Sequence, residues 1–389
     1  MNALKKVFKR LLIFFENIFV FLFSLFVPKS KKIVVIGGWF GERFCDNSKA
    51  LFLLLNRDKR FEKIVWISRS RAIVRQVQNE GFVACYYRSF KSFWYHLRAG
   101  THIVDQGEGD IVPALSVRAK KINLYHGLPI KKVGVDCDSH VSKAYLAFKK
   151  ISIFSPGFWG NCYFLSPSDY VDAKFSRAFL LKKRHLIRAS YPRDYFVSCE
   201  HEENGFRPSG SDKIVFYFPT FRSKSDGKFD QASFFEKLDG FGLKNHVTFI
   251  TKFHFADSEN NSFGHFKKII FLDKTFDINE ILWRGDVLIT DYSSVCWDFM
   301  LLHRPVVFFP FDFLEYKTAD RGFYEDYPSF VPGEIAYNTN DLLSLLERVV
   351  SNPEGYMKEN EPKYSDTLNK MNCMSKAFSI EPLIQFVLK

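Results

Sequence analysis

Residues 287–309 read VLITDYSSVCWDFMLLHRPVVFF. An apolar run from Val287 to Thr290 has the length of a buried strand, and a polar turn carrying Ser293 and Ser294 follows it. Val295 to Leu302 then has a helical pattern, and Arg304-Pro305 stands ahead of a second apolar run, Val306 to Phe309. Strand, crossover helix and strand make a parallel βαβ unit.

The same alternation extends in both directions. Toward the C-terminal half, Ile214 to Phe218, Val247 to Ile250 and Ile269 to Leu272 read as strands preceding Val287 to Thr290. Toward the N-terminus the series is Ile33 to Ile36, Ile64 to Ile67, Val83 to Tyr87, His102 to Asp105, Ile122 to Tyr125, Tyr163 to Leu165 and Leu186 to Ala189. A polar stretch, Glu200 to Asp212, separates the two series and reads as a linker. The expected fold class is α/β: two Rossmann-like doubly wound domains facing a cleft, at residues 30–205 and 206–389, preceded by an N-terminal helix at 1–29. In such sheets ligands bind outside the carboxyl ends of the strands.

Composition narrows the function. The chain has 389 residues, 47% of them hydrophobic, so it is no disordered tail. An excess of Lys and Arg gives a net charge of +12, which calls for anionic partners. Seven scattered cysteines form no CxxC pair, no histidines stand at zinc-binding spacing, and neither a Walker motif nor GxGxxG is present. No metal or cofactor is expected, and no nucleic-acid-binding motif is found. Asp136-Cys137-Asp138 has the form of a DxD metal motif, but three-residue strings of this kind are common by chance.

Lys5, Lys6, Lys9 and Arg10 precede a mostly apolar run from Leu11 to Val27, and Lys29, Lys31 and Lys32 follow it. Cations on both flanks suit a helix lying in the interface at the cytoplasmic face of a membrane; a span and an ordinary packed helix are the alternatives.

The candidate functional residues stand at strand ends. His126, followed by Gly127, is placed to act as a base, or merely to cap the turn. Lys252 and His254 occupy the corresponding place in the second half, and Arg193 and Arg222 offer guanidinium groups suited to phosphate. Ser293 and Ser294 present hydroxyls at a strand-to-helix turn where an anion could sit, unless they serve only as helix caps. Asp298 follows one turn later, where it could accept ribose hydroxyls.

Six segments together resemble, in order, motifs of the CDP-glycerol glycerophosphotransferase family of teichoic-acid primases and polymerases. They are Tyr125-His126-Gly127-Leu128-Pro129-Ile130-Lys131, Tyr191-Pro192-Arg193-Asp194, Phe218-Pro219-Thr220-Phe221-Arg222, Lys252-Phe253-His254, Ile289-Thr290-Asp291-Tyr292-Ser293-Ser294-Val295 and Arg321-Gly322-Phe323-Tyr324-Glu325-Asp326. The resemblance implies a GT-B-like pair of domains, with CDP held mainly by the second. It implies catalytic roles for His126 and His254. Tyr125, Gly127, Leu128, Pro129, Arg193, Pro219, Thr220, Arg222, Lys252, Phe253, Ser293, Ser294 and Asp298 would bind CDP-glycerol or a related CDP-alditol. The acceptor would be a lipid-linked saccharide or polyol phosphate at the membrane surface. Departures from the family pattern are Ser190 in place of Gly, Lys252 in place of Arg and Tyr125 in place of Trp. The rival readings are a GT-B glycosyltransferase using a nucleotide-sugar and a non-enzymatic polyanion-binding protein.

Overall fold

The computed structural model describes residues 18–137, 162–198, 212–220, 229–252, 266–273, 275–319, 322–372 and 378–389. Contacts divide the chain into two compact units. The first comprises Met1–His126, Gly134–Arg193 and Ala377–Lys389; the second comprises Gly127–Val133 and Asp194–Lys376. The sequence suggests one boundary near residue 205. In the structure the chain instead lends seven residues, Gly127–Val133, to the second unit before returning, and its C-terminal helix packs back on the first.

The first unit is built on a parallel seven-stranded sheet. Its strands are β1 (Ser30–Ile36), β2 (Lys63–Ser68), β3 (Ala84–Tyr86), β4 (Ala99–Val104), β5 (Lys120–Asn123), β6 (Tyr163–Ser166) and β7 (Leu186–Arg188), in the order β3-β2-β1-β4-β5-β6-β7. Crossover helices include α1 (Asp46–Arg57), α2 (Arg71–Asn79), α3 (Phe90–Arg98) and α4 (Asp169–Ala178). Burial on both faces explains the apolar runs of the central strands, with Val34, Val35 and Ile36 at zero exposure. Phe44, Phe52 and Trp66 meet edge to face in this core, with Phe44 and Trp66 centroids 4.7 Å apart.

The second unit carries a parallel five-stranded sheet ordered β10-β9-β8-β11-β12. The strands are β8 (Lys213–Tyr217), β9 (Val247–Thr251), β10 (Ile269–Phe271), β11 (Val287–Thr290) and β12 (Val306–Phe308). Helices α5 (Gln231–Asn245), α6 (Val295–Met300), α7 (Thr339–Ser351) and α8 (Pro353–Met371) cover it. Val215, Phe235, Val247, Ile289, Leu342 and Leu346 lie in its core. The pairing of β11 with β12, Leu288 against Val306, closes the βαβ unit that the sequence of 287–309 announces.

Every strand anticipated from sequence is present, with one revision that bears on function. The fifth ends at Asn123 rather than Tyr125, because Tyr125 has turned to φ +59°, outside the strand region.

Of the N-terminal segment, residues 18–24 are helical, and residues 1–17 lie outside the described part. Val20 and Val27 pack with Leu97 and Leu115, and the Arg118 guanidinium donates to the Ser24 carbonyl. The segment therefore has one face committed to the first unit. Among the described residues no helix is long and apolar enough to cross a membrane.

Two histidines lie wholly inside the first unit, His96 on α3 and His102 on β4, with ring centroids 5.3 Å apart. His96 Nδ1 is 2.7 Å from the Ser92 carbonyl, and the Val112 N–H donates to Nε2 at 3.3 Å. A neutral ring protonated at Nδ1 satisfies both contacts. Burial pushes the pKa of His96 down to about 4 despite the Ser92 hydrogen bond, and pushes that of His102 well below the usual histidine value. The folded form thus resists protons that the unfolded chain accepts. The stability this provides is complete above about pH 6.5 and is lost as pH falls toward 4, by about 3 kcal/mol for His96 alone. Thermal melts between pH 6.5 and 4 should show the wild type losing more stability than a His96→Gln/His102→Gln double variant. Parallel pH profiles would place the acid sensitivity elsewhere.

Candidate active site

In the first unit the site is assembled at the turns that follow β1, β5 and β7. Asn123 Oδ1 accepts the Tyr125 N–H at 2.8 Å, and Asn47 Nδ2 donates to the Tyr125 carbonyl at 2.8 Å. These two bonds hold Tyr125 in its left-handed conformation, which costs about 1–2 kcal/mol for a non-glycine residue. The tyrosine ring is buried against Phe164, Phe175 and Phe179, and the half-buried His126 ring lies 4.5 Å from it, centroid to centroid. His126 is thereby directed by a residue that cannot rotate freely.

Arg193, expected to meet a phosphate, is only 3% exposed. It forms an ion pair with Asp46 at 2.7 Å and donates to the His126 carbonyl at 2.9 Å from the same Nη1, while its backbone N–H reaches Asn47 Oδ1 at 3.2 Å. In this structure its guanidinium braces the histidine turn.

Asp46 and Asn47, at the start of α1, were not singled out from sequence. Their signal was topological, since the first βα turn of a doubly wound sheet lies at the strands' carboxyl edge. Two further aspartates stand at the same edge. Asp105 Oδ1 accepts the Trp39 N–H at 3.0 Å, and Asp110 accepts the N–H groups of Phe40, Asp105, Gln106 and Gly107 at 2.6–3.1 Å. Burial, reinforced by Asp110 and Asp46, holds the Asp105 carboxyl well above its usual range.

In the second unit, Gly127 lies against Ser294: a Cβ at position 127 would stand 2.4 Å from Ser294 Oγ. Leu128, Pro129 and Ile130 are buried beyond it. Lys131 bridges to Phe323, the Lys132 N–H donates to the Gly322 carbonyl at 3.0 Å, and the Tyr324 N–H donates to Ile130 at 3.1 Å. Two motifs nearly two hundred residues apart are thus one short antiparallel pairing. Asp291 Oδ1, after β11, accepts the Thr220 N–H at 2.8 Å and so fixes the Pro219-Thr220 turn after β8.

Ser293 and Ser294 are half-buried. Ser294 takes the N-cap position of α6, yet with φ −68° and ψ −9° it is already helical and makes no side-chain cap bond. Simple capping therefore does not account for its hydroxyl. Asp298 is buried at 5% exposure, and its charge helps burial raise the Cys296 thiol well above its usual value. Lys252 follows β9 and donates to the Phe276 carbonyl. Arg222, Phe253 and His254 lie outside the described residues, as does Asp138 of the DxD string; Asp136 pairs with Arg177 at 2.9 Å.

A family model described as CDP-glycerol:poly(glycerophosphate) glycerophosphotransferase matches residues 19–382. The chain belongs to that family. Among curated relatives, the teichoic acid poly(glycerol phosphate) polymerase of Bacillus spizizenii is 26% identical over 83% of this chain and 84% of its own. The teichoic acid glycerol-phosphate transferase of Staphylococcus aureus is 25% identical over 85% of this chain and 87% of its own. Of solved structures, the wall teichoic acid polymerase TagF superposes over 99% of this chain and 96% of its own with a TM-score of 0.72 at 20% identity. The fold class and the family resemblance read from sequence both stand.

The contact of Gly127 with Ser294 yields a direct test. Gly127→Ala should lower the melting temperature, because the new methyl meets the Ser294 hydroxyl inside normal contact distance. The penalty should be smaller when Ser294→Ala is already present, and equal penalties in the two backgrounds would show that the residues are not coupled.

Proposed function

We propose that this member of the glycerophosphotransferase family transfers a glycerophosphate unit from CDP-glycerol to a hydroxyl of a lipid-linked or polyol-phosphate acceptor in teichoic-acid-type synthesis, releasing CMP. The observation that carries the reading is the family match across 19–382, reinforced by the motif residues of each unit being held in one local structure.

The acceptor oxygen attacks the β-phosphorus, the bond from that phosphorus to the bridging oxygen breaks, and CMP departs with that oxygen. His126 takes the hydroxyl proton, a role worth typically about 10²- to 10⁴-fold. Arg193, Asp46 and Asn47 position His126. Ser293 and Ser294, with Lys252, His254 and Arg222, stabilise charge on the transferred group and the leaving CMP. The acceptor approaches from the first unit and CDP is held by the second.

CMP release and product mass measured over a panel of CDP-alditols test the donor assignment; absence of CMP release from CDP-glycerol overturns it. In His126→Ala, turnover should fall at least about 100-fold while CDP still binds. Near-normal turnover would remove the base role.

Association with the cytoplasmic face of a membrane is part of the proposal. It is supported by Phe19 at 68% exposure and Phe26 at 85%, next to Leu22 and Leu25 at half exposure, while Val20 and Val27 face the unit's interior. Rings left in contact with water in this way suit insertion among acyl chains. The packed face makes deletion of the whole segment a poor probe, since Leu97 and Leu115 would lose their cover. Replacing Phe19, Leu22 and Phe26 together with Ser should leave the fold intact and weaken binding to phosphatidylglycerol vesicles at least about tenfold. Undiminished vesicle binding would refute an interfacial role.

A further inference from the structure

The carboxyl edge of the first sheet carries a second arrangement that the proposed chemistry does not use. Arg43, in the loop after β1, stands over Trp39 at 4.8 Å from its ring centroid. Arg69 and Arg71 follow β2. Arg69 stands over Tyr87 at 4.9 Å and Arg71 over Tyr86 at 4.4 Å. Arg88, after β3, stands over Tyr87 at 5.1 Å, and the two tyrosine rings meet edge to face at 5.0 Å. Arg69, Arg71 and Arg88 are exposed and Arg43 is half-buried.

These groups form one surface. The Arg69 N–H and the Ser68 hydroxyl both donate to the Gly41 carbonyl, at 2.8 and 2.6 Å. Gly41 has φ +79°, and a Cβ there would lie 2.8 Å from the Arg69 side chain, so the loop after β1 is seated directly on the turn after β2. Trp39 and Phe40 both hold left-handed backbone, at φ 47° and 56°, fixed by Asp105 and Asp110. Aromatic residues kept in such conformations are strained and accumulate at functional positions. Phe40 is 56% exposed.

Among the described residues none of the four arginines forms an ion pair with a carboxylate, and Asp46 and Asp110 are engaged by the Trp39 indole N–H and the Phe40 backbone N–H. Arg69 Nε donates to the Gly109 carbonyl at 3.2 Å, which together with its ring contact holds the side chain and leaves its two terminal nitrogens for an anion. Ring faces already covered by guanidinium groups offer little to nucleobases, which argues for phosphate rather than base recognition. Residues 18–27 reach β1 from its other end, which separates this surface from the exposed phenylalanines of that segment.

Strand order gives the surface a direction. Neighbouring parallel strands lie about 4.8 Å apart, so the edge from β3 through β2, β1 and β4 to β5, where His126 follows, is roughly 19 Å long. We propose that Arg43, Arg69, Arg71 and Arg88, seated on Trp39, Tyr86 and Tyr87, form a track that binds the phosphodiesters of a polyol-phosphate acceptor chain behind the end that reacts at His126. The proposal rests on the glycerophosphotransferase reading for the identity of the chain, while the binding it asserts can be measured without donor.

The probe is a fluorescently labelled synthetic oligo(glycerol phosphate) of about ten units, titrated with the full-length protein and followed by anisotropy at several salt concentrations. In Arg69→Gln/Arg71→Gln/Arg88→Gln its affinity should fall at least tenfold, and the slope of log affinity against log salt should flatten by about 2, taking roughly 0.7 per phosphate contact as for other flexible phosphodiester chains. In turnover the same variant should raise KM for the oligomer while leaving KM for CDP-glycerol and kcat at saturating acceptor unchanged. Equal oligomer affinity in wild type and variant overturns the track. So does a loss confined to phosphatidylglycerol vesicles, which would assign the surface to the membrane. Failure of the wild type to release CMP from CDP-glycerol would defeat the donor reading and leave the anisotropy result standing.

Discussion

The buried pair of Asp46 and Arg193 is the constraint on which the first unit's site depends. Both side chains are withdrawn from water, and a guanidinium in that position without its carboxylate would be an unpaired buried charge costing several kcal/mol. The pair joins the start of α1 to the turn after β7, and the second bond of Arg193 reaches the carbonyl of His126 after β5. Three turns distant in sequence are bound together because parallel strands deliver their carboxyl ends to one edge. Asn47 adds the link to Tyr125 and so keeps the strained residue before the histidine in place.

A different economy governs the second unit. Its site turns are set by backbone contacts: Asp291 on the Thr220 N–H, Ile130 and Lys132 on the strand-like segment at Gly322–Tyr324, and Gly127 on the Ser294 hydroxyl. Close approach of this kind needs a missing Cβ more than it needs charge. The chain passes from one unit to the other at the bond between His126 and Gly127. The same short motif therefore serves both units, its histidine held by side chains of the first and its glycine seated on the second.

Most of the twelve strands were legible because they are short apolar runs, a pattern that survives without knowledge of its neighbours; β5, with two lysines, and the edge strands β7 and β10 are the less fully buried ones. The family was legible because six motifs keep their order. Less legible was the ion pair of Arg193, because its partner Asp46 lies 147 residues away. The same holds for Ser294, whose position suits a cap but whose backbone is already helical.

Local sequence determined the elements, their parallel order of succession and the turns that hold the candidate residues, since periodicity and turn composition act over a few residues. Tertiary structure alone decided that Asp46 and Asn47 brace the His126 turn, that Asp105 and Asp110 hold the loop after β1, that Gly127–Val133 joins the second unit, and that four arginines line one edge. Those outcomes depend on which strand ends are neighbours. Strand order is set by crossover packing across the whole sheet, and no local window contains it.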